Sequence, residues 1–167
     1  MTLATHAVFG AAMAKLAPQN PILAFAFGFL SHYFLDAFPH GHYPIRSHTR
    51  HPENRLAEDM VYGRQFLIDL FKIGLDFAVG MCLAFFLFRT GNATANFIII
   101  IGAFAGTLPD ALQFVYWKIR QEPFTTLQKT HLAIHAQKNF NRDPVKSFFI
   151  EIMAMATGII LARLLGG

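Results

Sequence analysis

Two segments of this chain carry possible ligands at helical spacing. In SHYFLDAFPHGHY (31–43), His32 and Asp36 stand at i and i+4, so on a helix they share a face and can converge on one ion. A hydrogen bond along the helix face uses the same spacing. The apolar surroundings, and His40 and His42 just beyond Pro39, favour metal ligation, because an ionisable group in an apolar segment is costly without a function. THLAIH (130–135) repeats the arithmetic with His131 and His135. Two neutral imidazoles so placed suit a first-row divalent ion such as zinc, and equally a solvated helix face.

GAFAGTLPDALQF (102–114) places Asp110 directly after Pro109, which removes a backbone donor and frees carbonyls beside the carboxylate. Its Gly102 and Gly106 are four apart, a spacing that lets helices approach closely. The stretches GFLSHYFLDAF (28–38) and GAFAGTLPDAL (102–112) align without gaps as a weak internal repeat in which Asp36 and Asp110 correspond. Asp69, Lys72 and Asp76 form an i, i+3, i+7 stripe. An ion pair with Lys72 accounts for Asp69. Asp76 is deeper and can be a ligand, a partner to an imidazole N–H, or a general base. Glu151 is a weaker candidate of the same kind. The run PHGHYPIRSHTRH (39–51) holds four histidines with Arg46 and Arg50, whose guanidiniums match phosphate geometry and also suit anionic headgroups. No glycine-rich phosphate loop, nucleophile elbow, HExxH or CxxC motif occurs, and the single Cys82 allows no disulfide within the chain.

The elements that must position these groups are apolar helices. Of 167 residues, 54% are hydrophobic and 14% charged, too few polar groups to cover a water-facing surface when roughly 25% is usual. Helices are expected at about 3–16, 22–38, 67–88, 97–117 and 147–165, with a turn at Pro18–Pro21 and a short amphipathic helix in the loop 118–146. The expectation is an all-α integral membrane bundle of four to five hydrophobic helices forming a single domain over 1–167. The first segment is short for a span and lacks the basic start of a signal peptide.

Arg46, Arg50, Arg55, Arg64, Lys72, Lys118, Arg120, Lys129, Lys138, Arg142 and Lys146 fall on the side of the loops 39–66 and 118–146, against Lys15, Arg89 and Arg163 on the other. That bias makes both loops cytoplasmic. The formal charge of +4 then belongs to membrane topology, and no nucleic-acid partner is expected. His6, His32, Asp36, Asp69, Asp76, Asp110 and Glu151 all come out toward that same end.

These residues carry a resemblance. Thr5-His6, the His32–x3–Asp36 pair followed by Pro39-His40, the Leu108-Pro109-Asp110 triplet and the late Thr130-His131 with His135 resemble the membrane-bound metal-dependent hydrolases that are distantly similar to zinc-dependent phospholipase C. Many members show PDxDH where Asp110 is followed here by Ala111-Leu112-Gln113. The resemblance implies His6, His32, Asp36, Asp110, His131 and His135 as metal ligands. The expected activity is hydrolysis of a phosphoester, on a lipid or lipid-linked phosphate, by a metal-activated water. Arg46 or Arg50 would hold the headgroup, with Asp76 or Asp110 acting catalytically and His40, His42 and Glu151 as further candidates. The expected location is the inner membrane of a prokaryote. A non-enzymatic membrane protein, a small metal or proton transporter or a structural subunit, would use the same groups.

Overall fold

A computed structural model describes residues 1–165, and the chain is all-α. Its helices are α1 (Leu3–Ala14), α2 (Pro21–Asp36), α3 (Arg64–Phe88), α4 (Ala93–Ile119), α5 (Phe124–Ile134) and α6 (Pro144–Leu164). The one sheet among the described residues is a two-residue ribbon in the first long loop, β1 (His48–Thr49) antiparallel to β2 (Asp59–Met60), with His48 opposite Met60. Local sequence sets the helix starts. Asn20 caps α2 through the amides of Ile22 and Leu23 with Pro21 at its first position, Asn92 caps α4 through Ala95, and Asp143 caps α6 through Lys146 ahead of Pro144. Each short polar side chain satisfies amides that no helical carbonyl can reach.

Three helices, α3, α4 and α6, are long and apolar enough to cross a membrane. The other two apolar helices fall short. At 1.5 Å per residue, twelve residues of α1 reach about 18 Å and sixteen of α2 about 24 Å, against a hydrocarbon core of about 30 Å. The turn before Pro21 and the break before Pro39 set these limits on α2, so the charge-free sequence stretch outruns the helix it encodes.

Helix α1 is the centre of the bundle. It is apolar on all sides and buries Ala7, Val8, Ala11 and Ala12 against Ala84 and Phe88 of α3, Ile99 and Ala103 of α4 and Ala162 of α6. Its small residues let the surrounding helices come close. A Cβ placed on Gly106 would lie 2.5 Å from the carbonyl oxygen of His6, and one on Gly28 an equal 2.5 Å from that of Gly102. These contacts run α1 antiparallel to α4 and α2 parallel to α4, which brings the start of α1, the end of α2 and the middle of α4, from Gly106 to Asp110, to the same level. Outward faces of α3 and α6 are left apolar, with Phe71, Phe86, Phe148 and Met153 all more than 60% exposed, as expected of surfaces solvated by lipid.

Candidate metal centre

The two long loops are zipped together where they leave the helices. The amide of Ala136 donates to the Asp36 carbonyl (2.8 Å), that of Phe140 to the His40 carbonyl (3.0 Å), and that of His42 to the Asn141 side chain (2.8 Å). Gly41 sits so close to Ser147 that no side chain fits there. This seam carries His40 and His42 up to His131 and His135, while helix packing supplies His6, His32 and Asp110.

At the middle lies Asp36, almost fully buried. Its Oδ2 is 3.1 Å from His131 Nε2, 3.2 Å from His32 Nε2 and 3.9 Å from His135 Nε2. Its Oδ1 is 3.3 Å from His6 Nε2, 3.4 Å from His40 Nε2 and 3.8 Å from the Met1 amino group. The His32 Nε2 also lies 3.7 Å from an Asp110 oxygen, and the His6 and His32 rings stack at 4.0 Å. Six of the eight histidines thus gather around this carboxylate or beside it.

The protons show what these rings present to Asp36. A carbonyl oxygen can only accept, so Nδ1 of His32 donates to Gly106 (2.8 Å), Nδ1 of His40 to Phe38 (2.7 Å) and Nδ1 of His135 to Ala136 (3.0 Å). A neutral ring with its proton on Nδ1 turns an Nε2 lone pair toward the carboxylate. Burial and the neighbouring amino group and imidazole hold His40 down to about 4, and burial lowers His135 as well, so these two rings are neutral at pH 7. At His40 and His135 such lone pairs face the carboxylate and repel it unless a cation lies between. The Nε2 atoms of His6, His32 and His40 and Oδ1 of Asp36 are buried without a hydrogen bond, an expensive condition for a protein interior. A tetrahedral zinc with ligands near 2.0–2.1 Å needs its ligand atoms about 3.3 Å apart, which the spacings at Oδ2 approach.

A buried His/Asp group is therefore able to hold a metal ion. Ligand atoms of His32, Asp36, Asp110 and His131 lie mutually within 4.8 Å, as do those of His40, His42 and His135. The carbonyls of Gly106, Phe38 and Ala136 orient the rings, the part that backbone groups commonly play behind metal-ligating histidines. The cluster opens to the outside at Asp110, whose side chain is 34% exposed, and at His42.

Three further carboxylates named from the sequence have structural partners. Asp76, expected as a base or ligand orienter, caps α1, accepting from the amides of Leu3 (2.8 Å) and Ala4 (3.1 Å). Glu151 accepts from the hydroxyls of Thr2 and Thr5. Both carboxylates satisfy the start of α1, a need that exists because that helix begins inside the bundle. Asp69 binds Lys72 (3.3 Å) as expected, and also the Ser47 amide (2.8 Å) and hydroxyl (2.9 Å), which anchors the first loop to α3. Arg46 and Arg50 are exposed and make no side-chain hydrogen bond or ion pair among the described residues. Sequence reasoning ranked His40 too low. It stands four residues after Asp36, as His32 stands four before, and the helix break at Pro39 hid the symmetry.

No protein-family model, curated protein or solved structure matches this chain.

Proposed function

We propose that this protein is an integral membrane metallohydrolase that cleaves a phosphoester on a lipid or lipid-linked phosphate. The reaction would take place at the cytoplasmic face of a prokaryotic inner membrane, with zinc as the ion. The observation that carries the reading is the ring of Nε2 atoms, three of them with the Nδ1 proton committed to a carbonyl, around the buried carboxylate of Asp36. His32, Asp36, Asp110 and His131 would hold the cation. When bound, it supplies Lewis acidity and brings the pKa of water toward about 7.

The remaining work falls to the chain. The Gly106 carbonyl keeps the His32 ring oriented. Asp110, the carboxylate of the group that reaches the outside, would take a proton from an attacking water or bind the cation. Arg46 and Arg50, exposed on the loop that also carries His40 and His42, would offer guanidiniums to a phosphate. A phosphoester substrate follows from the family resemblance and from the level of the cluster at the loop end of the bundle, and so rests partly on analogy.

A translocation path is disfavoured, because among the described residues no buried ionisable side chain lies in the far halves of the helices. The test is release of phosphate or headgroup from a panel of phospholipids and prenyl phosphates by detergent-purified protein. Turnover abolished by a chelator and restored by zinc is expected. Bound metal without hydrolysis across the panel overturns the reading in favour of a non-enzymatic role.

A further inference from the structure

We infer that the cluster is a two-cation centre, with a second divalent ion held by His40, His42 and His135 and the Asp36 carboxylate shared between the two. The inference rests on the metal centre proposed above and adds a site to it.

Its first support is coordination number. Counting His6, eight side chains crowd the cluster, whereas zinc in proteins takes four ligands and sometimes five, so one ion leaves several buried nitrogens without a partner. The groups also divide. One ligand atom from each of His40, His42 and His135 lies within 4.8 Å of the other two, separately from the set formed by His32, Asp36, Asp110 and His131. The three rings are mutually adjacent, with centroids 4.6 Å apart for His40 and His42, 4.9 Å for His40 and His135, and 5.2 Å for His42 and His135.

A second and independent observation is the state of His40. It is 1% exposed and its Nδ1–H is committed to the Phe38 carbonyl. Its Nε2 has no hydrogen-bond partner, although it points at Asp36 Oδ1 across 3.4 Å. His135 is fixed the same way by Ala136.

Asp36 links the sets because its two oxygens face different rings. Oδ2 lies beside His32 and His131 and, at 3.9 Å, beside His135, while Oδ1 lies beside His40 and His6, so each oxygen reaches toward both sets. A carboxylate used through both oxygens suits cations about 3.5–4 Å apart, the spacing at which paired ions clamp the attacking and leaving oxygens of a phosphoester. Three imidazoles and one carboxylate oxygen select a first-row ion of the zinc type over calcium or magnesium. His6, stacked on His32 and facing Oδ1, completes whichever ion sits nearer.

The test is metal counting on the full chain in detergent, stripped with chelator, reloaded with zinc and freed of excess. Wild type should retain two zinc ions per chain, and His42→Ala, whose ring lies at the open edge, should retain one with unchanged helical content. Loading with Mn²⁺ gives an independent reading, since two carboxylate-bridged ions produce a spin-coupled resonance spectrum and isolated ions do not. One zinc in wild type, or two retained in His42→Ala, overturns the second site while leaving the single-metal hydrolase intact. If His42→Ala loses both ions, the wild-type manganese spectrum decides, a coupled pair upholding the inference and uncoupled signals overturning it. Two bound ions without turnover would overturn the hydrolase assignment alone.

Discussion

Gly106 joins the packing of the bundle to the chemistry of the cluster, and Gly106→Ala tests that junction. The added Cβ would stand 2.5 Å from the carbonyl oxygen of His6 and 3.2 Å from Cα of Gly10, where ordinary contact begins at 3.4 Å. The obstructing atoms are backbone and cannot rotate away, so α1 must move by about 0.9 Å at His6. Such overpacking costs about 1–3 kcal/mol, offset by up to about 1 kcal/mol because alanine favours a helix more than glycine does. The control is Gly74→Ala on the outward side of α3, where a Cβ meets nothing within 4 Å and only the propensity gain remains. Thermal unfolding in detergent should therefore place Gly106→Ala below Gly74→Ala by about 1–3 kcal/mol, at about 2–4 °C per kcal/mol. Zinc affinity should fall with it, because the displaced turn carries the His6 ring that faces Asp36 at 3.3 Å. Equal stability and equal zinc affinity in the two variants would refute the packing of α1 on α4 described here.

Asp76→Ala should lower stability by about 1–2 kcal/mol through loss of the two amide contacts at the start of α1, with zinc content and turnover per folded molecule unchanged; collapse of turnover in a stably folded variant would show that Asp76 acts catalytically after all. Asp69→Ala leaves the buried Ser47 amide unpaired, at a cost of about 1–3 kcal/mol, and trypsin should then cut after Arg46 or Arg50 faster than in wild type. Zinc added to the stripped protein at about a hundredfold over its dissociation constant should raise stability by about 2.7 kcal/mol, and His131→Ala should show a much smaller rise in the same unfolding assay.

Much of this site was legible in the residues. The i, i+4 spacings of His32 with Asp36 and His131 with His135 marked the right helices. The cost of ionisable groups in apolar segments drew attention to one end of the bundle. The Gly28–Asp36 and Gly102–Asp110 repeat has a spatial counterpart, because the two glycines touch where α2 and α4 cross and both carboxylates lie beside His32.

What the sequence could not show was partnership. Asp76, and more weakly Glu151, offered themselves as ligand or base candidates, yet they answer the amides and hydroxyls at the start of α1, a need created only when that helix is buried. His6 could be placed at the level of the cluster but not against Asp36, since that depends on the glycine contacts that set the crossing of α1 and α4. Pairing of the loops at Asp36–Ala136 and His40–Phe140 is a long-range seam with no local signature. It is what assembles the His40, His42 and His135 trio.

The claim on which the account turns is that the buried histidines surround a cation. Its most direct test is the zinc content of the detergent-purified chain after reloading and gel filtration, for wild type beside His32→Ala and His131→Ala. Stoichiometric zinc is expected in wild type, with its loss or marked reduction in both variants and helical content retained. A wild-type protein that is folded and holds no divalent ion after reloading would contradict the claim.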